Sequence, residues 1–339
     1  MLDILIIGAG SIGERHIRCF LKTNLARVSV CDVDKSTLDR IKSTYSLSKT
    51  YADFNEAISE KPTAVIIATP AHLHIPIAIE AAKSGCHLLI EKPISTNPEG
   101  IETLQSLVSE KNLIAVIGYT LRHYPFVYNI KKRLETGEWG EPLHLNLYSG
   151  QHFPLYRPAY NKIYYNSHET GGGAIQDGLT HFLDMAQWWL GPITNLTADF
   201  EHVSLKGVVV EDTVSILARH GKIMAAYHLN QHQFPNESVI TMVCETATVR
   251  LNLFDNQLRI MDSPDGNWQN EKEVSFDRDD AFIAQASEFI NLIKGHSSDI
   301  PCSIEDAKHT LNCQMSILSD GKESIKWKKI KMESNLTYA

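Results

Sequence analysis

The chain has 339 residues, 43% of them hydrophobic and 21% charged, with 32 Lys and Arg against 40 Asp and Glu. At about 100 to 200 residues per domain that length predicts two domains, and the composition excludes disordered, collagen-like and disulfide-scaffold proteins. A net charge of −8 supplies no summed positive field for phosphate backbones or anionic lipid, so neither nucleic acid nor a membrane is an expected partner.

The opening run MLDILIIGAG has Asp3 where a secretory leader carries basic residues and breaks at Gly8, so it reads as a strand. Short β-branched runs (DILIIG, RVSVCD, AVIIAT, HLLIE, LIAVIG) then alternate with segments whose apolar residues recur at three and four, over 12–22, 38–45, 75–83 and 101–109. Strands apolar on both faces, each followed by a helix, predict a doubly wound parallel α/β sheet over 1–121. The longest uncharged stretch, 64–79, is too short to cross a bilayer and contains Pro70, Pro76, His72 and His74. From 122 to 339 the pattern changes to a helix in YPFVYNIKKRLETG, a strand near 143–148, an aromatic segment, and a glycine turn opening a helix that runs to Leu190. Runs such as KIMAAYHLNQ and SVITMVCE within 193–276 predict a mainly antiparallel sheet. Helices near 281–294 and 303–319 are expected on one face of it, which makes this an α+β substrate-binding and oligomerisation domain. Six scattered cysteines without a CxxC pair suit a reducing cytoplasm.

Three motifs carry chemistry. Gly8-Ala9-Gly10-Ser11-Ile12-Gly13 follows the first strand and opens a helix, where glycines permit a tight turn and helix N–H groups face a pyrophosphate. Asp32 lies 19 residues after Gly13 at the end of the second strand, placed to accept both ribose hydroxyls, which predicts NAD in preference to NADP. Glu91-Lys92-Pro93 ends the strand HLLIE at the sheet edge where ligands bind, so Lys92 faces the cofactor crevice and can exchange a proton with a hydroxyl. In GGGAIQDGLTH a spacing of four sets Asp177 and His181 on one helix face if Asp177 is already helical. His181 suits acid–base work near neutral pH, with Asp177 holding a substrate hydroxyl or orienting the imidazole. The same spacing also suits an Asp that complements the helix dipole beside a half-buried structural His.

GAGSIGERH with its His16, ATPAHLHIPIAIEAAKSGCHLLIEKP, GYTLRHYP and GGGAIQDGLTH together resemble the glucose-fructose oxidoreductase / inositol dehydrogenase (Gfo/Idh/MocA) family, and the resemblance covers most of the chain. It implies a Rossmann first domain and a catalytic set of Lys92, Asp177 and His181. It also implies that Thr69, Pro70, His74, Glu91 and Lys92 lie along the NAD, beside the glycine loop and Asp32. Arg122, in the block that opens the substrate domain, is counted among the substrate contacts.

Before the glycine turn, the segment from Gln151 to His168 interleaves aromatic rings with donors and acceptors, as a polyhydroxylated ring requires. His152, Tyr156, Arg157 and His168 are its candidate substrate contacts, and Arg157 suits a carboxylate or phosphate. No metal is expected, because His72-x-His74 lacks further ligands and HExxH is absent. The expected function is hydride transfer between NAD and a secondary hydroxyl of a sugar, sugar acid or cyclitol, by a homodimer or homotetramer. The alternatives are an NAD-dependent glycosidase that oxidises transiently and a non-catalytic cofactor-sensing regulator.

Overall fold

The computed structural model describes residues 1–162, 164–272 and 274–320. The first domain alternates strands and helices in chain order: β1 (Leu2–Ile7), α1 (Ser11–Lys22), β2 (Ala26–Cys31), α2 (Lys35–Thr44), β3 (Thr50–Tyr51), α3 (Phe54–Ser59), β4 (Ala64–Ile67), α4 (His74–Lys83), β5 (His87–Glu91), α5 (Ile101–Glu110) and β6 (Ala115–Gly118). All pairings are parallel, in the order β3-β2-β1-β4-β5-β6. Side chains alternate across a strand, so Leu5 and Ile7 enter one apolar cluster with Ile67 and Ile90, while Ile4 and Ile6 enter the other with Val30 and Ile66. That is why residues 4–7 of β1 and all of β4 are apolar on both faces.

Register fixes the site. Ile7 lies opposite Cys31 and Ile67, Ile67 opposite Ile90, and Glu91 opposite Gly118. The residues that follow, Gly8, Asp32, Thr69 and Lys92, therefore emerge along one carboxyl edge. The strand order reverses between β1 and β4, and at such a reversal the helices diverge and leave a crevice.

The second domain contains α6 (Pro125–Glu135), β7 (Pro142–Gly150), α7 (Phe153–Tyr156), α8 (Thr180–Leu190), β8 (Asn195–Glu201), β9 (Thr213–His220), β10 (Ile223–Asn230), β11 (Glu237–Cys244), β12 (Thr248–Asn252), β13 (Gln257–Met261) and β14 (Gln269–Asn270). Its eight strands run β14-β13-β12-β11-β7-β10-β9-β8, antiparallel except for the β7–β10 pair. Val214, Ile216 and Ala218 of β9 point inward onto Leu183, Ala186 and Trp189 of α8, and Leu217 points away.

One expectation is corrected. The last two helices, α9 (Arg278–Ile293) and α10 (Ile304–Asp320), do not both cover the second sheet. Ala286, Phe289 and Ile290 of α9 pack with Ile4, Ile17 and Phe20 of the first domain. Ile304, Ala307 and Leu311 of α10 join that domain's other core, while Cys313 and Ile317 reach the second sheet's core. An apolar helix stripe states that it is buried, not against which sheet. Among the described residues no helix is long and apolar enough to cross a membrane.

Candidate active site

The glycine loop is shaped by close approach. A Cβ on Gly13 would overlap the Gly8 carbonyl, so α1 packs directly on the turn before it, whereas a Cβ on Gly10 would meet nothing within 4 Å. No side chain caps α1, so its leading N–H groups face that open space. Beside the loop, Asp32 is half-buried and accepts from the Ala9 N–H (2.6 Å) and the Asp34 N–H (2.8 Å). Asp34 is occupied capping α2 through the N–H groups of Ser36 and Thr37, which leaves Asp32 as the carboxylate that faces the loop. The Thr69 hydroxyl is buried without a partner among the described residues. A cradle of exposed N–H groups, an acceptor for hydroxyls and an unsatisfied hydroxyl at the sheet edge fit a dinucleotide.

Two buried contacts hold this edge together. His74 joins the Thr69 carbonyl (2.8 Å) to the Pro93 carbonyl (2.9 Å), bridging the loops after β4 and β5 and leaving neither ring nitrogen free. Pro70 begins the turn from β4 to α4. His16 on α1 meets Glu91 at 2.7 Å, and Glu91 also accepts the Lys92 N–H at 3.2 Å. Burial pushes the Glu91 carboxyl up, but His16 and Lys92 outweigh it and hold it below its usual range.

Lys92 crosses from the first domain to the second. Its ammonium donates to the Asp177 carbonyl (2.9 Å) and to Asp177 Oδ1 (3.1 Å). Asp177 also accepts from the Tyr164 hydroxyl on Oδ1 (2.9 Å) and from Arg157 Nη1 on Oδ2 (3.1 Å). Burial opposes its ionisation, yet Lys92 and Arg157 prevail and hold the carboxyl far below the usual range. His181 lies in the same cleft, its ring meeting Tyr119 edge-on with centroids 6.2 Å apart, and its Nδ1 is buried without a partner among the described residues. Burial first, then the Lys92 charge, pushes the imidazole well below 6.5. The ring is therefore neutral near pH 7 and able to accept a proton.

Asp177 lies in a widened, π-helical turn, Ala174–Leu179, that leads into α8. Gly173 has φ +89, and a Cβ there would come within 2.5 Å of the Glu211 carboxylate. Glu211 accepts the Ile175 N–H (2.8 Å) and pairs with His168. This buried acid braces the turn that carries Asp177, and hydrogen bonding to it raises the His168 pKa. Its sequence signal is a Glu-Asp pair inside the apolar run VVVEDTVSIL.

Lys92 and Asp177 thus meet, and His181 faces the same cleft without bonding to Asp177. Arg157 and Tyr164 grip Asp177, so the aromatic segment supports the turn that carries Asp177 directly. His152 stacks on Phe234 at 4.0 Å, and Tyr156 is exposed. Arg122 requires correction as a substrate contact. It is buried, bound to Asp184 by two hydrogen bonds (2.6 and 2.9 Å), and donates to the Pro301 carbonyl. An interior carboxylate at Asp184 needs that counter-charge, which leaves Arg122 unavailable to a ligand.

Fold and site together define a two-domain protein whose first domain has the dinucleotide-binding Rossmann form. Residues 2–119 match the oxidoreductase family with NAD-binding Rossmann fold, and residues 127–250 match the GFO/IDH/MocA C-terminal domain. The chain belongs to the Gfo/Idh/MocA family. Curated relatives include levoglucosan dehydrogenase of Pseudarthrobacter phenanthrenivorans, 25% identical over 207 residues (58% of this chain, 53% of that protein). Another is the NAD-dependent scyllo-inositol 2-dehydrogenase of Bacillus subtilis, 26% identical over 189 residues (55% and 53%). These matches span about half the length of the relatives. A solved levoglucosan dehydrogenase in complex with NADH and levoglucosan has the same fold, with a TM-score of 0.86 at 20% identity over 94% of this chain and 96% of that one. The WlbA dehydrogenase of Bordetella pertussis in complex with NADH and UDP-GlcNAcA superposes with a TM-score of 0.82 at 20% identity, over 96% and 97%.

Proposed function

We propose that the protein oxidises a secondary hydroxyl of a sugar, sugar acid or cyclitol, or reduces the matching ketone, with NAD as the hydride carrier. The observation that carries this reading is the Lys92–Asp177 contact at the carboxyl edge of β5, with a neutral His181 in the same cleft. NAD, when bound, accepts the hydride. An alcohol losing a hydride must also lose a proton; the neutral imidazole of His181 is the group that can take it, while the Lys92 ammonium can hydrogen-bond the reacting oxygen during oxidation and return a proton to it in the reductive direction. Asp177 fixes the ammonium, while Arg157 and Tyr164 fix Asp177. A group so held loses little freedom on reaction, which is where positioning contributes to rate. The glycine loop, Thr69 and Asp32 would hold the dinucleotide.

Six buried, unpaired cysteines support a reducing compartment such as the cytoplasm. The uncovered face of the second sheet, with Tyr148, Leu217 and Met224 exposed, supports a homodimer or homotetramer. The test of function is NADH formation across sugars, cyclitols and sugar acids, with aryl glycosides alongside. NADH accumulating with a polyol is the expected result. Release of the aryl group without net NADH would overturn it in favour of hydrolysis.

A further inference from the structure

Lys92 and His181 reach the cleft from different domains, yet both can be traced to one sheet edge. Glu91 of β5 lies opposite Gly118 of β6, so the residues that follow, Lys92 and Tyr119, leave neighbouring strands side by side. The Tyr119 ring is 1% exposed and joins the first domain's apolar cluster with Ile90, Ile94 and Ile117. From there it crosses to α8. Its hydroxyl is hydrogen-bonded to the Thr180 hydroxyl at 2.8 Å, and its ring meets the imidazole of the next residue, His181, edge-on. Arg122, in the turn after Tyr119, binds Asp184 one helical turn beyond Thr180. The start of α8 is therefore held at Thr180, His181 and Asp184 by the segment that leaves β6, while Leu183, Ala186 and Trp189 of the same helix pack on the second sheet.

Tyr119 is suited to holding, not to chemistry. Burial pushes its phenol well above 10, so near pH 7 it neither gives up nor takes a proton, and its hydroxyl is already engaged by Thr180. Thr180 is fully buried as well. Removing either hydroxyl leaves the other buried and unsatisfied, which makes the pair a demanding contact between β6 and α8.

We propose that Tyr119 is a positioning residue of this site, tying the start of α8 to the carboxyl edge of the first sheet so that His181 keeps its place relative to Lys92. The inference rests on reading His181 as the group that takes the proton.

The test uses Tyr119→Phe and Thr180→Val, each of which removes one hydroxyl and keeps the bulk of the side chain, together with the double variant. Trp189→Phe is the control, because the Trp189 indole N–H holds the far end of α8 to the Val127 carbonyl (3.1 Å). Turnover on a polyol is read with KM for NAD, the melting temperature, and the titration of His181 by NMR, identified as the histidine signal missing from His181→Ala. Each hydroxyl variant is expected to lose about tenfold to hundredfold in kcat, the size of a misplaced reacting group, with KM for NAD kept. The double variant is expected to lose no more than the worse single one, since both remove the same bond. The His181 titration, held well below 6.5 by burial first and then by the Lys92 charge, is expected to move up toward 6.5 as the loosened ring gains water. Trp189→Phe is expected to lower the melting temperature and leave turnover and titration as in wild type. A titration that stays put in both hydroxyl variants would overturn the proposal, as would a Trp189→Phe variant that reproduces the shift. So would a kcat within a fewfold of wild type in both hydroxyl variants when His181→Ala abolishes turnover. Should one hydroxyl variant fail to fold, the other decides. The titration needs no substrate, so the two readings can fail separately: a signal that moves in Tyr119→Phe while His181→Ala keeps full turnover upholds the placement and removes the proton role.

Discussion

A neutral imidazole beside an ammonium sets the pH behaviour. His181 is pushed well below 6.5 by burial and by Lys92, so the acid limb of kcat/KM is expected below pH 6.5 and should disappear in His181→Ala. The same shift bears on stability. The unfolded ring takes up a proton near pH 6.5 that the folded ring refuses, so stability falls as pH drops below that value and stops falling once the folded ring titrates. A profile whose acid limb stays at 6.5, or survives in His181→Ala, would remove His181 from the proton pathway. That Lys92 and Asp177 come together was legible because short motifs carry them. The fates of Arg122 and Arg157 were not, since their carboxylate partners, Asp184 and Asp177, lie 62 and 20 positions away and only the folded chain brings them close. A sequence shows a cation but not which anion has already claimed it.

The glycine turn before α8 supports Asp177 because its backbone takes a conformation that side chains resist. Gly173→Ala meets both a left-handed φ and the Glu211 carboxylate, whereas Gly85→Ala meets a similar φ (+83) and open space. Strain at such a φ costs about 1–3 kcal/mol. Gly85→Ala is therefore expected to lower Tm modestly, and Gly173→Ala to lower it further and reduce turnover as well. Equal losses in both variants, with activity intact, would show that the Glu211 brace does not govern the site. At this scale the strands of the first sheet were readable because both of their faces are buried, and the alternation on β9 was readable because one face is. The destination of α9 was not, because its apolar stripe suits either sheet and only the folded chain brings its Phe289 against Phe20 of α1. The π-helical turn at Asp177 was equally hidden, since it depends on Glu211, 34 residues further along the chain.

Across the whole molecule two surfaces follow from the sheet architecture. Asp32 stands at the end of β2 beside the glycine loop, where a second phosphate on the ribose would meet a like charge. At 4 Å that repulsion is about 1 kcal/mol in water and about 4 kcal/mol at an effective dielectric of 20, roughly a fivefold to thousandfold preference for NAD. The ratio of catalytic efficiencies with NAD and NADP should therefore collapse in Asp32→Ala, and a preference that survives the substitution would place discrimination elsewhere. On the other domain, Leu217 is 63% exposed and Met224 51% exposed on the sheet face opposite α8, two large apolar side chains that a second copy of the chain would cover. Light scattering should give two or four copies, shifting toward one in Leu217→Glu. A wild-type monomer at micromolar concentration would contradict that assignment.

The central claim is that Lys92, held by Asp177 at the cofactor edge, serves the proton in an NAD-dependent oxidation. Its most direct test is turnover of Lys92→Ala against wild type on a polyol that the wild type oxidises, at saturating NAD, with NAD affinity measured on the same preparations. The account predicts a loss of about 10² to 10⁴ in kcat with NAD affinity retained. Turnover within a fewfold of wild type would contradict it.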